Sequence, residues 1–182
     1  MIAATRRTVL AGGFAGALAV PTLAGLAHWR WRHGEGGLLL HDPALAAGRR
    51  FAAAGAAAGG TVLALEGDRI RFARQALDRR PALIAGVSRH ADALLIEDVA
   101  QEAGYASVAV LHGQGDSCGV RQCDAGWRAL GRMAEGSGSN WAEALAVFAA
   151  RPGDHAATTL AAAPSQTADS GLVIGWLLAA RA

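Results

Sequence analysis

Short, almost continuously apolar segments alternate with helix-length segments along the chain, and this alternation restricts the fold more than any other feature. Four of the apolar segments lie at 37–41, 61–65, 82–87 and 107–111. Strands of a half-exposed sheet alternate polar and apolar residues, whereas continuous apolar runs are typical of strands covered by helices on both faces. We therefore predict a single three-layer α/β domain with a mainly parallel sheet of about five strands.

Helix signals between these segments give the order of the elements. Asp42 and Pro43 predict the N-cap and first turn of a helix over 44–58, and Gly104 predicts the end of a helix over 92–103. The strand–helix–strand spacing fits right-handed crossovers, as in a Rossmann-like or flavodoxin-like domain. The other predicted elements are a helix over 69–79 that begins after Asp68, a helix capped by Asp124 and ending at Met133, a helix over 141–150 capped by Asn140, and a strand over 172–178. Loops are predicted at 113–123, 136–139 and 152–170.

Polar and titratable residues stand where the predicted strands end. In an open parallel sheet, ligands bind outside the carboxyl ends of the strands, near the point where the strand order reverses. Histidines, carboxylates and one arginine at that edge are able to bind an anion, ligate a metal or exchange protons near neutral pH. The alternative is structural, because Asp42 and Asp68 also suit helix caps. The candidate ligand-binding residues are His41, Asp42, Glu66, Asp68, Ser88, Arg89, His90 and His112.

Complete catalytic and cofactor motifs are missing from the sequence. Ser88 lacks the G-x-S-x-G elbow of a hydrolase nucleophile, and the segment after the first strand lacks the G-x-G-x-x-G of a dinucleotide site. The spacing of His90, His112 and the acidic residues matches no standard metal signature. The chain contains no lysine, which excludes a P-loop and a pyridoxal phosphate Schiff base. We therefore assign no metal site, no catalytic residue and no cofactor from the sequence.

Two cysteines, Cys118 and Cys123, lie in the predicted loop over 113–123. Their spacing matches neither the C-x-x-C redox motif nor the C-x-x-C-H haem attachment motif. In an oxidising compartment two cysteines this close in a loop most often form a disulfide, and we predict that these two do. A nucleophilic Cys118 beside His112 or Asp116 is the alternative.

An arginine pair followed by a mildly hydrophobic stretch rich in Gly and Ala opens the chain. Thr5, Arg6, Arg7 and Leu10 match the S/T-R-R-x-F-L-K pattern of twin-arginine (Tat) export signals, while Val9 replaces the usual Phe. This segment therefore resembles a Tat signal peptide over about the first 27 residues. The resemblance implies export of an already folded protein to the periplasm.

The resemblance also implies a division of the chain into a signal peptide over 1–27, a flexible tail over 28–36 and the α/β domain over 37–182. An uncleaved membrane anchor is the alternative, because 8–27 carries no charge and is long enough to span a bilayer. Its glycines make it less hydrophobic than a permanent span. The implied partners are the Tat machinery and a co-exported protein or small-molecule ligand, with membrane contact only if the signal is retained.

The charge balance restricts the remaining partners and functions. All 17 basic residues are Arg, and Arg6 and Arg7 lie in the signal, which leaves 15 Arg against 15 acidic residues. In a domain with balanced charge we expect no basic face for nucleic acid, and therefore no nucleic-acid partner. We expect a periplasmic accessory or ligand-binding protein with its site at the strand ends. The alternatives are a small hydrolase or isomerase using the same histidines and carboxylates, and a membrane-tethered subunit of an exported redox complex.

Overall fold

A six-stranded mixed sheet with helices on both faces forms the α/β domain. The computed structural model describes residues 37–114, 117–123, 127–152 and 169–181. The strands are β1 (Gly37–His41), β2 (Thr61–Ala64), β3 (Leu83–Arg89), β4 (Tyr105–Gln114), β5 (Ser117–Cys123) and β6 (Val173–Ala180), in the order β2-β1-β3-β6-β4-β5. The helices are α1 (Ala46–Ala57), α2 (Arg69–Leu77), α3 (His90–Glu102), α4 (Arg128–Gly136) and α5 (Trp141–Ala150), with a 3-10 turn at Gly138–Asn140.

The sheet is parallel in one half and antiparallel in the other. The predicted α/β class is confirmed, but the prediction of a mainly parallel sheet is wrong. β1 pairs with β2 and β3 in parallel, whereas β6 runs antiparallel between β3 and β4, and β5 runs antiparallel beside β4. Central strands covered on both faces are continuously apolar in either orientation. The apolar runs therefore indicate that both faces of the strands are buried, but they do not determine the direction of β6.

Alternate residues of each strand pack into two separate cores. Leu39 of β1 and Leu177 of β6 face α1, α4 and α5, and we call this side of the sheet the α1 face. Leu40 and Leu178 face α2 and α3 on the opposite side, which we call the α3 face. Because side chains alternate along a strand, these assignments give the face of the neighbouring strand residues.

Two buried tryptophan rings lie against glycines of the sheet. A Cβ atom at Gly113 would lie 2.2 Å from Cζ2 of Trp141, and one at Gly175 would lie 2.7 Å from its Cζ3. Trp176 of β6 covers Gly86, its paired neighbour on β3, where a Cβ would lie 2.1 Å from Cζ2 of the ring. Any side chain larger than hydrogen at these positions would displace a ring, so the glycines allow the tryptophans to fill the two cores.

The segment predicted as a loop over 113–123 contains strand β5 instead. Cys118 pairs with Gly113 and Cys123 pairs with Ala109, near opposite ends of β5. At about 3.3 Å per residue their Cα atoms are about 16 Å apart, whereas a disulfide requires Cα atoms within about 7 Å of each other. The predicted disulfide is therefore wrong. An edge strand pairs on one side only and contains few apolar residues, so its composition is similar to that of a loop.

Several predicted boundaries differ from the structure by a few residues. β3 continues through Arg89 and β4 through Gln114, so Ser88, Arg89 and His112 lie within strands rather than after them. The predicted break between the last two helices is the short 3-10 turn. The predicted signal, the tail, the Asp124 cap and most of the 152–170 loop lie outside the described residues. Among the helices of the described ranges, none has the length and hydrophobicity to cross a bilayer.

Candidate functional site

The carboxyl ends of four strands meet at one edge of the sheet. β1, β2, β3 and β4 run in the same direction, because β6 is antiparallel to both β3 and β4. β2 and β3 lie on opposite sides of β1, because the chain passes from β1 to β2 on one side and then crosses back to β3 on the other. The gap between the ends of β1 and β3 is therefore a topological switch point, the usual ligand position in an open α/β sheet. We call it the switch crevice; its strand-end residues are His41, Asp42 and Arg89.

His41, the last residue of β1, has a buried ring nitrogen at this crevice. Its Nδ1 has no hydrogen-bond partner among the described residues. Burial lowers the pKa of His41 below its ordinary value of 6.5, and the adjacent Asp42 carboxylate partly opposes this shift. The imidazole is therefore neutral at physiological pH. A neutral imidazole presents one hydrogen-bond donor and one acceptor, which suits a polar uncharged group.

Asp169 caps the N-terminus of α1, the role that the sequence predicts for Asp42. Its two carboxylate oxygens accept the backbone N–H groups of Ala46 at 2.7 Å and Ala47 at 2.9 Å. Asp42 accepts the N–H of Ala44 at 2.9 Å instead, which forms a turn before the helix. The predicted Asp42 cap is therefore wrong, because this turn delays the start of α1 until Ala46.

Arg89 holds the backbone of the segment that follows Asp169. Its Nη1 donates a hydrogen bond to the carbonyl of Ser170 at 2.6 Å. His41 pairs with Val87 across the parallel strands, and Arg89 lies two residues further along β3 on the same α1 face. His41, Arg89, the Asp169–Ser170 segment and the start of α1 therefore all lie around this switch point.

Ser88 and His112 lie on the α3 face, on the other side of the sheet from His41. Ser88 has no exposed surface. Its Oγ accepts the indole N–H of Trp176 at 3.0 Å and donates to the carbonyl of Arg89 at 3.1 Å. Ser88 thus fixes the Trp176 ring and cannot contact a ligand. His112 is half-buried within β4.

The remaining three predicted residues lie around α2 and α3. Asp68 caps α2, and its Oδ1 accepts the backbone N–H of Arg71 at 2.8 Å, so the alternative reading of Asp68 as a helix cap is confirmed. This hydrogen bond lowers the pKa of Asp68. His90 is the exposed first residue of α3, and Glu66 is exposed in the turn after β2. These residues border the same edge from the α3 side and do not join His41.

Asp169 and Ser170 are the residues at this site that the sequence does not predict. They lie in a segment whose Ala- and Thr-rich composition indicates only a loop, and Asp169 contacts a helix 123 residues earlier in the chain. The one signal is an isolated acidic residue shortly before an apolar strand. Within the described parts of the chain, no three His, Cys, Asp or Glu side chains are grouped so that they could hold a metal ion.

The lowered pKa of His41 predicts a specific dependence of stability on pH. Below pH 6.5 the unfolded chain binds a proton at His41 that the folded protein still excludes. The free energy of unfolding should therefore fall as the pH decreases from 6.5 toward the folded pKa, and then level off. Urea denaturation across pH 5 to 8 should show a smaller decrease in His41→Gln than in wild type. Equal decreases in the two proteins would show that His41 is not buried in its neutral form.

The carboxyl edge thus contains two separate groups of polar residues rather than one cluster. His41 and Arg89 lie on the α1 face together with Asp169, and Ser88 and His112 lie on the α3 face. The switch crevice presents a neutral imidazole and a guanidinium on the same face of the sheet, with the α1 amides already bound to a carboxylate. Comparisons of the chain with protein-family models, curated proteins and solved structures give no match.

Proposed function

We propose that this protein is a periplasmic ligand-binding or accessory protein, exported by the Tat pathway, with its site in the switch crevice. The observation that carries the proposal is the buried, unpartnered Nδ1 of His41 at a topological switch point. A buried polar atom without a partner costs about 1–3 kcal/mol, and a ligand that supplies the missing hydrogen bond recovers that free energy.

The expected ligand is a small molecule that places a hydroxyl or amide group against His41. The N-terminus of α1 would otherwise attract an anion, but Asp169 already binds its amides. A second negative charge beside Asp169 would be repelled. Arg89 has one bond to the Ser170 carbonyl and retains further N–H donors for a carbonyl or hydroxyl oxygen of the ligand.

Binding is better supported than hydrolysis at this edge. A serine hydrolase requires an accessible hydroxyl beside a histidine. Ser88 is buried and bonded to Trp176, and His41 lies on the opposite face of the sheet. The arrangement favours a site that holds a ligand over one that attacks it.

Native mass spectrometry of protein purified from the periplasm tests the site. We expect a non-covalent mass on the wild-type protein that disappears on denaturation. Its occupancy should fall at least fivefold in His41→Gln and in Arg89→Gln. The matched control is Arg79→Gln, an exposed arginine at the opposite edge, which should keep the bound mass. A wild-type protein without a bound mass, or equal occupancy in His41→Gln, would refute the site.

Replacement of the arginine pair tests export separately. In Arg6→Lys/Arg7→Lys the charge is kept but the paired guanidinium groups are lost. We expect the protein to accumulate in the cytoplasm, whereas Arg30→Lys, outside the proposed signal, should still reach the periplasm. An unchanged periplasmic yield of the double variant would show that the pair is not an export signal.

A further inference from the structure

A second concave surface lies at the opposite edge of the sheet, between the carboxyl ends of α2 and α3. It has a volume of about 940 Å³, which is in the range of small-molecule sites. We call it the basal groove; its charged and aromatic lining residues are Arg74, Asp78, Arg80, Glu102, Tyr105 and Arg181. The seven residues of β3 separate this groove from the switch crevice by about 20 Å. The two sites therefore lie at opposite ends of the sheet.

Three guanidinium groups line the basal groove, against two carboxylates. Within the part of the chain that the structure describes, Arg74, Arg80 and Arg181 form no ion pair and donate no side-chain hydrogen bond. Arg50 and Arg69, by comparison, each lie 2.9 Å from a carboxylate oxygen. The groove arginines thus keep their N–H donors for a molecule from solution, and the lining carries a net positive charge.

Arg80 has a backbone conformation that disfavours arginine. Its φ is +47°, and it is the one described residue other than glycine with a positive φ. Glycine or asparagine is the usual residue in this conformation after a helix, because a Cβ atom is strained there. An arginine in a strained position beside a groove indicates a role that requires its side chain.

The floor of the basal groove is apolar. Tyr105 is almost fully buried, and its hydroxyl donates a hydrogen bond to the carbonyl of Pro81 at 2.7 Å. Leu77 and Val99 line the groove beside the Tyr105 ring. A ligand here would place an apolar or planar part on this floor and a charged part among the arginines.

We propose that the basal groove binds the phosphate group of a small molecule, with Arg80 as a principal contact. The planar guanidinium fork matches the oxygens of a phosphate, and three such groups against two carboxylates leave the lining with one net positive charge for an anion. Arg74 also lies in the last turn of α2, where the helix dipole stabilises a cation. The dipole therefore explains Arg74, but it explains neither the strained backbone of Arg80 nor the presence of Arg181 after β6.

Isothermal titration of the purified full chain tests this proposal. The probes are inorganic phosphate and vesicles of phosphatidic acid in phosphatidylcholine, with pure phosphatidylcholine vesicles as the blank. Binding of inorganic phosphate would indicate that the ligand is a soluble phosphate compound. Binding of the phosphatidic acid vesicles alone would indicate that it is a lipid headgroup. Either result supports the groove, and its affinity should fall as salt increases. Binding of neither probe overturns the proposal.

The variant Arg80→Gly separates binding from folding. Glycine relieves the backbone strain, so we expect the Tm to rise by about 2 °C while affinity for the bound probe falls at least fivefold. Arg79→Gly removes the same charge one residue away, outside the groove, and should leave the affinity unchanged. Equal affinities of Arg80→Gly and wild type, or an equal loss in Arg79→Gly, would overturn the proposal. His41→Gln should bind the probe normally, so this result is independent of the switch crevice.

Discussion

Replacement of Trp141 with Ala is expected to lower the free energy of unfolding by about 3–5 kcal/mol, as is typical for deletion of a buried tryptophan side chain. Trp141 is 1% exposed, and its ring lies against Gly113 and Gly175. Glycines have no side chains that could move into the space left by the ring, so the cavity should stay open. Since a domain of this size has a total stability of about 5–15 kcal/mol, the loss is measurable by urea denaturation followed by circular dichroism.

The control for Trp141→Ala is Leu94→Ala on α3. Leu94 is 52% exposed, so its truncation should change the free energy of unfolding by less than about 0.5 kcal/mol. A loss below about 1 kcal/mol in Trp141→Ala would show that the ring does not fill the α1 face as described.

Replacement of Gly48 with Ala is expected to destabilise the domain by about 1–3 kcal/mol, the usual cost of overpacking. Alanine alone would favour α1, because it is the better helix former by about 1 kcal/mol. However, a Cβ atom at this position would lie 2.2 Å from the backbone oxygen of Asp42. A backbone atom cannot rotate away, so α1 must shift from the end of β1. The measurement is again urea denaturation.

The matched control for Gly48→Ala is Gly136→Ala in the last turn of α4. Among the described residues, no heavy atom outside the adjacent backbone of α4 lies within 4 Å of a Cβ built at Gly136. This change should therefore be neutral or stabilising by up to about 1 kcal/mol. If the two substitutions shifted the unfolding free energy equally, the close approach of α1 to Asp42 would not explain the effect. A shifted α1 should also reduce occupancy of the switch crevice, because Asp169 binds the first amides of that helix.

The local elements of this fold are largely predictable from sequence, whereas its sheet topology is not. β1 has the predicted residues. The cap at Asp68 and the helix end at Gly104 are also as predicted, because each depends on residues within one helical turn. The direction of β6 depends on pairing with residues about 90 positions earlier, as its bond from Trp176 to Ser88 shows. Nothing within the segment itself encodes that pairing. β5 is missed for a related reason, since an edge strand lacks the apolar run that marks a buried strand.

The candidate site divides in the same way between local and distant information. Sequence places His41 at the end of β1 as observed, and it places Arg89 within two residues of the end of β3, because strand ends are largely local features. The sequence does not show that Ser88 points into the core on the α3 face. The predicted strand ends at residue 87, whereas β3 continues through Arg89, and the alternation of side chains along these two further residues puts Ser88 on that face. The sequence also assigns the α1 cap to the nearby Asp42 rather than to Asp169. Distant chain segments complete the site, and only the folded structure brings them together.

The position of β6 determines when a growing chain is able to complete this domain. β6 lies between β3 and β4, although it is synthesised after both of them. Until it emerges from the ribosome, β3 and β4 each present an unpaired edge, which is a template for aggregation. Non-local pairing of this kind is also slow. We therefore expect the nascent chain to depend on shielding by a chaperone, and an export route that accepts only folded cargo would have to wait for β6 to be inserted.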